Sequence, residues 1–262
     1  MLVNTHSITT PEPCPYIPGR LSTMEHIVVE SLTSVELEAL LELGWRKFGR
    51  LLYRPVCHEC SACHSTRIYV PTFTPNRSQT RCITRNADLR IETQAPIIDD
   101  QRLKIYRRYH RNRELTRSWG VADKTRAGYE ETFLDNLTEA IEVSVWLESH
   151  LLGVALTDIT GNIVSGVYHY HDPDYHDRSI GKFLMLKVIR LAELTGRRWA
   201  HFGYHVGECT SLSYKTSFRP VSLLGDDGVW RMADANGNYD VAGLDDGFVF
   251  WPGAKPVDKD NR

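Results

Sequence analysis

The fold is decided by residues 163–204, which read IVSGVYHYHDPDYHDRSIGKFLMLKVIRLAELTGRRWAHFGY. Ile163–His171 is rich in β-branched and aromatic residues and predicts a strand. Arg178-Ser179-Ile180-Gly181 forms a loop that leads into an amphipathic helix over Lys182–Thr195. Trp199–Tyr204 predicts the strand that follows the helix. This segment therefore predicts a strand–helix–strand unit with a short loop at the start of the helix.

Two more strands precede this unit, over Ala140–Glu148 and Leu151–Asp158, with Ser149-His150 at the turn between them. Three strands, a loop, a helix and a strand are the outline of an N-acyltransferase core. In that architecture the loop offers free backbone amides to an anionic or carbonyl group. We therefore predict an α/β (α+β) fold: a GNAT-like mixed sheet flanked by helices, with a smaller cysteine-rich N-terminal domain.

The N-terminal part carries the run Cys57-x-x-Cys60-x-x-Cys63, with Cys14 upstream. Four thiolates are what a zinc ion or an iron–sulfur cluster requires, and thiolates alone do not decide between the two. His58 and His64 are alternative ligands beside the run. Such a run in a chain of 262 residues is more typical of metal binding in a reducing compartment than of a disulfide framework.

Compartment and membrane contact are predicted from the same sequence. No stretch approaches the ~20 apolar residues that a membrane-spanning helix needs. The first 15 residues lack the apolar core of a secretory signal. We therefore expect a cytoplasmic protein without membrane contact.

Charge is strongly segregated along the chain. The net charge is −2, yet residues 67–126 hold 14 Lys and Arg against 6 Asp and Glu. A helix is predicted over Asp100–Arg117, where basic residues at i, i+3, i+4 and i+7 form one positive stripe. The stripe consists of Lys104, Arg107, Arg108 and Arg111. A basic surface of this kind indicates a polyanionic partner.

The chain divides into four predicted segments. Residues 1–13 form a flexible lead, 14–95 a cysteine-rich domain and 99–224 an acyltransferase-like domain. Residues 225–262 form an acidic tail rich in Gly and Asp.

Motifs in both halves point to one family. In the N-terminal half they are CPYIPGR at 14–20, LYRPxCxxCxxC at 52–63, FxPxRSQ at 73–79 and RNADL at 85–89. In the C-terminal half they are VALTD at 154–158, Tyr168, DP at 172–173, DRSIG at 177–181, GY at 203–204 and YKxxFRP at 214–220. Together they resemble the aminoacyl-tRNA–protein transferases over residues 14–224. The short form is similar to the aspartate/glutamate leucyltransferases, whose close relatives are the arginyltransferases.

This resemblance implies the reaction. Leucine would pass from Leu-tRNA to the α-amine of a protein that begins with Asp or Glu, which marks that protein for degradation in the N-degron pathway. Arg-tRNA is the alternative donor. The reaction itself needs no cofactor.

The chemistry suggests where the reacting groups lie. Backbone amides at Ser179 and Gly181, or a strand edge at Tyr168, are predicted to hold the tetrahedral oxyanion. Tyr204 or Tyr214 is predicted to guide the proton to the ribose oxygen that leaves. The acceptor's carboxylate and the tRNA phosphates both need cations. For the acceptor the candidates are Arg54, Arg77, Arg178, Lys215 and Arg219, with Arg77 and Arg178 favoured. For the tRNA they are Arg81, Arg85 and the four residues of the stripe.

Two alternatives of other classes remain at this point. A coenzyme-A-dependent N-acetyltransferase would need a richer Gly-x-Gly loop than Arg178-Ser179-Ile180-Gly181 supplies. An RNA-binding protein with a metal knuckle and no catalysis would not need the core over 140–220.

Overall fold

The computed structural model describes residues 1–117, 123–234 and 238. Its strands are β1 Leu2–Ile8, β2 Glu12–Pro13, β3 Leu21–Ser22, β4 Met24–Ser31, β5 Arg46–Phe48, β6 Leu51–Pro55, β7 His64–Tyr69, β8 Arg90–Gln94, β9 Ala140–Leu147, β10 His150–Ile159, β11 Ile163–His171, β12 Trp199–His205, β13 Val221–Leu224 and β14 Trp230–Met232. Its α-helices are α1 Ser34–Glu42, α2 Arg77–Arg85, α3 Asp100–Arg117, α4 Arg126–Phe133, α5 Ile180–Leu194 and α6 Thr210–Ser213. Short 3₁₀ helices cover Val70–Thr72, Pro173–Arg178 and Tyr214–Ser217.

The larger sheet has eight strands in the order β14-β13-β7-β12-β11-β10-β9-β8. β11 and β12 pair in parallel, and the other neighbours in this sheet pair antiparallel. α5 packs on the sheet through Phe183, Leu184 and Val188, which are all buried. The predicted mixed sheet flanked by helices is therefore confirmed. The central helix begins at Ile180, inside the predicted loop, and not at Lys182.

The parallel pair separates part-way along its length. Pairing between β11 and β12 covers Ile163 with Trp199, Val164 with Ala200 and Ser165 with His201. Beyond that point the register of β10 with β11 shifts after Leu156, and that of β12 with β7 shifts after His201. The two strands continue without pairing to each other, which opens a gap in the sheet beside the start of α5.

The smaller sheet has the order β1-β4-β6-β5, and β2 and β3 pair with each other as a separate two-stranded ribbon. β1 pairs antiparallel with β4 over its whole length, although each of its seven residues is exposed. The prediction of a flexible lead over 1–13 is therefore wrong. The strand is held by backbone hydrogen bonds along an edge and not by burial of apolar side chains, so its composition carried no sign of it.

The predicted cysteine-rich domain over 14–95 is divided between the two sheets. β4, β5 and β6 belong to the smaller sheet, whereas β7 and β8 belong to the larger one. β7 lies between β12 and β13, which are far from it in sequence. Pairing between distant segments, which local pattern does not encode, decides this arrangement. At the other end, β14 extends the sheet into the predicted acidic tail, of which only 225–234 and 238 are described.

α3 has the bounds that the sequence predicts. Its predicted inward face is buried, with Leu103, Tyr106 and His110 all below one tenth exposed. The Thr33 side chain caps α1, and Glu36 closes a capping box. Within the described ranges, none of the helices combines the length and the apolar character needed to cross a membrane.

Candidate active site

A cavity of about 680 Å³ lies where β11 and β12 separate. Its walls come from the N-terminal end of α5, the C-terminal half of α3, the β5–β6 hairpin and the segment 210–215. Elements from both sheets thus converge on one space, which is large enough for two small substituents to meet.

The N-terminal end of α5 opens onto this cavity. Ser179 has a left-handed backbone, with φ 55° and ψ 44°, and its carbonyl accepts the first helical hydrogen bond from the Phe183 amide at 3.1 Å. In the described structure no capping hydrogen bond from the Ser179 side chain satisfies the first amides of the helix. These amides carry the positive end of the helix dipole, so they can receive an oxyanion or a carboxylate.

Gly181 lies against two histidine rings of β11. A Cβ atom at this position would be 3.4 Å from His171 Nε2 and 3.6 Å from His169 Nε2. The absence of a side chain therefore keeps the space between the helix amides and the rings clear. Burial lowers the pKa of His169 to about 3 and that of His171 to about 4, so both rings are neutral at physiological pH.

The charges that line the cavity are all positive. Arg46, Arg113, Lys182 and Lys215 contribute to the lining, and no Asp or Glu of the described chain does. Lys182 donates a hydrogen bond to Ser78 Oγ at 3.2 Å, and the Arg113 guanidinium lies 4.9 Å from the Tyr109 ring centroid. The cavity therefore suits an anionic ligand and disfavours a cationic one.

Two of these cations are buried. Lys215 is 8% exposed and its Nζ donates to the Tyr204 carbonyl. Burial, reinforced by the charge of Arg46, lowers the pKa of Lys215 to about 7. Arg46 is 5% exposed and its Nη2 donates to the Gly166 carbonyl at 2.7 Å.

The remaining wall includes an apolar patch. Ala155, Ile180, Met185, Val188 and Phe202 contribute to it. They come from β10, α5 and β12 and face the same space as the helix amides. An aliphatic side chain would find an apolar environment here.

The predicted tyrosines differ in what their hydroxyls do. Tyr204 is buried and its hydroxyl donates to the Gly44 carbonyl at 3.0 Å. Tyr214 is 37% exposed, and its hydroxyl has no hydrogen-bond partner among the residues the structure describes. The Tyr168 hydroxyl lies 2.9 Å from His110 Nε2. Of the three, Tyr214 has the hydroxyl that is free to meet a substrate.

The structure brings together part of the predicted site. Six predicted residues line the cavity: Tyr168, Ser179, Gly181, Tyr204, Tyr214 and Lys215. Four predicted arginines do not: Arg54, Arg77, Arg178 and Arg219.

Two of these four arginines are held by acidic side chains of the protein. Arg178 makes two bonds to Asp88, at 2.9 and 3.1 Å, and Arg54 donates to Glu25 at 2.7 Å. Their charge is already neutralised within the protein. The motifs that contain these two arginines gave no sign of the acidic partners, so the sequence predicted both residues as ligands of the acceptor. Arg77 and Arg219 are exposed on the surface.

The predicted positive stripe on α3 is exposed except at one position. Lys104, Arg107 and Arg111 are exposed, as are Arg81 and Arg85 on α2. Arg108 instead bonds to Asp172 at 2.9 Å and to Asp174 at 2.6 Å. Arg85 donates to the Asp177 carbonyl. Exposed basic residues on α2 and α3 are thus present, but Arg108 ties α3 to the segment before α5.

The cysteine run does not form the predicted metal centre in this structure. Across the described residues, no group of three or more His, Cys, Asp and Glu side chains has an arrangement that fits a metal ion. Cys60 Sγ accepts from Arg20 at 3.2 Å and Cys57 Sγ from the Thr23 amide at 3.4 Å. Burial and the neighbouring thiols, with Cys14 the largest among them, raise the pKa of Cys63 to about 12. The thiols do lie near one another, since Cys14, Cys57 and Cys60 all contribute to the raised pKa of Cys63.

Sequence reasoning missed two cations of the cavity, Arg46 and Arg113. Neither belongs to a quoted motif. One local sign was present for Arg46, since Trp45-Arg46-Lys47-Phe48 places two cations in a short segment with aromatic flanks. In the structure Lys47 forms a buried ion pair with Asp158, whereas Arg46 lines the cavity.

Comparison with known proteins bears on what this site does. The family model described as arginine-tRNA-protein transferase, N terminus, matches residues 12–81, and the corresponding C-terminus model matches residues 101–225. The chain belongs to the arginine-tRNA-protein transferase family. The predicted resemblance and the predicted aminoacyltransferase class are therefore confirmed, and the cavity described above lies within a member of that family.

Two curated relatives in this family show where the similarity extends. The aspartate/glutamate leucyltransferase of Campylobacter jejuni subsp. jejuni serotype O:6 is 32% identical over 217 residues, which cover 82% of this chain and 91% of that protein. The enzyme of the same name from Pseudomonas aeruginosa strain LESB58 is 33% identical over 216 residues, with the same coverage. Among solved structures, the crystal structure of FemX has 10% sequence identity and a TM-score of 0.43, over 77% of this chain and 79% of that one.

Proposed function

We propose that this protein transfers leucine from Leu-tRNA to the α-amine of proteins that begin with Asp or Glu, and so marks them for degradation through the N-degron pathway. The observation that supports it is the make-up of the cavity. Four cations and an apolar patch line it, and in the described part of the chain no carboxylate does. The family membership and the names of the relatives are consistent with this assignment.

The lining of the cavity supports leucine as the donor. A leucyl side chain would pack against Met185, Val188 and Phe202 without losing any polar contact. An arginyl side chain would bring a guanidinium next to Arg46, Arg113 and Lys215, with no acidic partner from the described lining. A desolvated and unpaired charge is strongly unfavourable, so leucine is favoured over arginine as donor.

The choice of acceptor follows from the same charges. An N-terminal Asp or Glu carries a carboxylate that a cationic cavity attracts, whereas an N-terminal Lys is repelled. A leucyl side chain needs an apolar environment and an acidic side chain needs cations. The lining of this cavity contains both.

The mechanism needs mainly alignment and charge stabilisation. The neutral α-amine, whose pKa is ~7.7–8.0, attacks the carbonyl carbon of the aminoacyl ester. The C–N bond forms, the first amides of α5 stabilise the oxyanion, and the ester C–O bond then breaks. The proton released by the attacking amine passes to the departing ribose oxygen, with the Tyr214 hydroxyl as the relay.

The donor tRNA is proposed to lie along the exposed basic residues of α2 and α3. Arg81, Arg85, Lys104, Arg107 and Arg111 are the contacts available on these helices, and Arg108 contributes through its structural role. The proposed location is the cytoplasm, which the six free cysteines of the structure favour.

The deciding experiment is transfer from purified Leu-tRNA and Arg-tRNA to peptides that begin with Asp, Glu, Lys or Ala, with acetyl-coenzyme A as a further donor. We expect leucine on the Asp and Glu peptides only. Arginine as the preferred donor would contradict the assignment of the donor. Acetylation without leucyl transfer would contradict the reaction class.

The two tyrosines are expected to respond differently to loss of the hydroxyl. Tyr214→Phe should lower kcat by about 100-fold, the range typical of a lost proton-transfer group. Tyr204→Phe should leave kcat close to the wild-type value, because its hydroxyl is bound to the Gly44 carbonyl. Steady-state transfer assays measure kcat for both variants, and a wild-type kcat in the Tyr214 variant would rule out the proposed relay.

The basic surface on α3 is expected to determine the salt dependence of tRNA binding. The double variant Lys104→Gln, Arg111→Gln should reduce the slope of log Kd against log salt by about 2, one for each lost phosphate contact. Arg50→Gln is the matched control, since Arg50 is exposed and pairs with Asp135 at 2.7 Å. Filter binding of Leu-tRNA from low to moderate salt gives the slopes, and equal slopes for all three proteins would exclude this surface.

A further inference from the structure

Arg46 is a buried cation without an acidic partner in the structure described. Its side chain belongs to a residue that is 5% exposed, and its Nη2 donates to the Gly166 carbonyl at 2.7 Å. No carboxylate of the described residues lies within ion-pair distance of it. The adjacent Lys47 is different, because its Nζ pairs with Asp158 at 2.9 Å.

The buried Asp158 carboxylate pairs directly with Lys47 and interacts with the charge of Arg46 only at longer range, so an anion bound directly to the guanidinium would stabilise it. A buried guanidinium loses its hydration, and a single neutral carbonyl replaces only a small part of it. Lys215 raises the local positive potential instead of reducing it, since the charge of Arg46 contributes to its lowered pKa. A ligand that supplies a carboxylate would therefore bind with a large electrostatic gain.

The position of Arg46 directs its guanidinium to the gap in the sheet. It reaches from β5 to Gly166 of β11, one residue beyond Ser165, the last residue of β11 that pairs with β12. On the other side a Cβ at Gly203 of β12 would lie 3.8 Å from both Nε and Nη2. The guanidinium thus sits between the separated strands and forms part of the cavity lining.

The other cations of the cavity are less suited to fix a carboxylate. The Lys215 amine already donates to the Tyr204 carbonyl, and the Lys182 amine to Ser78 Oγ. Arg113 lies over the Tyr109 ring and is less buried than Arg46. Arg46 combines burial, a planar fork of donors and an anchored orientation, which together suit bidentate binding of a carboxylate.

We propose that Arg46 binds the side-chain carboxylate of the acceptor's first residue and thereby selects Asp and Glu over Asn and Gln. This inference rests on the proposed function, and it assigns to one residue the choice of acceptor. Arg46 is a specificity-determining residue on this view and takes no part in proton transfer.

The test compares Arg46→Met with the wild type on peptides that differ only in an N-terminal Asp or Asn. The variant should lose about 100-fold in kcat/KM for the Asp peptide, the loss typical of a removed partner of a desolvated charge pair, and little for the Asn peptide. Arg50→Met is the control from the same hairpin and should keep the wild-type ratio. An equal loss on both peptides would show a purely structural role and overturn the inference.

A second variant covers the case in which Arg46→Met does not fold, as judged by circular dichroism. Arg46→Lys keeps the charge without the fork, and the Asp-to-Asn ratio should fall by about tenfold. An unchanged ratio overturns the inference.

If the wild type itself does not transfer leucine, calorimetry with Asp-Ala and Asn-Ala dipeptides still tests the inference. Asp-Ala should bind the wild type more tightly than Asn-Ala does, and this difference should vanish in the Arg46 variant. Failure of transfer counts against the proposed function, and failure of this binding difference counts against Arg46.

Discussion

Replacement of Arg102 by Met is expected to lower the free energy of unfolding by about 3–5 kcal/mol, the cost of breaking a buried ion pair from one side. The Arg102 side chain is 2% exposed and that of Glu142 is fully buried. Their contacts are Nε to Oε1 at 2.9 Å, Nε to Oε2 at 3.1 Å and Nη2 to Oε1 at 2.5 Å. The pair fastens α3 to β9, so its loss leaves a carboxylate uncompensated between helix and sheet.

Urea unfolding followed by circular dichroism measures the change. Arg90→Met is a matched control, because Arg90 also lies over the Trp146 ring but is exposed and pairs with Glu92 at the surface. It should have little effect. The double variant Arg102→Met, Glu142→Met should recover much of the loss, since no buried charge then remains. A single variant as stable as the wild type would show that the pair does not carry the packing of α3.

Lys215→Met is expected to remove a pH dependence of stability that the wild type has in alkaline solution. Burial lowers the pKa of Lys215 from its ordinary value of 10.5 to about 7. Between these two values the unfolded chain binds a proton that the folded chain does not. The free energy of unfolding therefore rises with pH in this window, by up to about 1.4 kcal/mol per pH unit from this group. Below pH 7 both states are protonated and the slope from Lys215 disappears.

Denaturant unfolding at intervals between pH 7 and 10.5 tests this expectation. Other groups titrate in the same window, but they are common to both proteins and cancel in the difference between wild type and variant. Lys104→Met removes a lysine from an exposed position and should keep the wild-type slope. Equal slopes for the wild type and the Lys215 variant would show that the amine is not desolvated in the folded protein.

The regular elements were largely predictable, because their signals are local. The strand Ile163–His171 and the helix Asp100–Arg117 have the bounds that the sequence indicates. Both are long and strongly patterned, and each buries one face. β1 was missed for the opposite reason, since an exposed edge strand has no apolar pattern to show.

The candidate site was only partly predictable. Ser179 and Gly181 could be placed because they open a helix, and helix starts are local events. Arg178 directly precedes this helix and was predicted to bind the acceptor. In the structure it bonds to Asp88, which lies 90 residues away in the sequence and could not be foreseen from the local pattern. Arg46 was missed because the gap in which its side chain is anchored lies between two strands that are more than 100 residues further along the chain.

The sequence by itself determined the family, the central strand–helix–strand unit and the basic character of α2 and α3. These depend on motifs and on periodicity, which neighbouring residues specify. The tertiary structure alone decided which cations enter the cavity and which are neutralised elsewhere. The physical reason is that a charged side chain acts according to its burial and its partner, and both come from pairing between distant strands. Arg46 and Lys215 thus face a substrate cavity, while Arg54 and Arg178 hold acidic side chains of the protein itself.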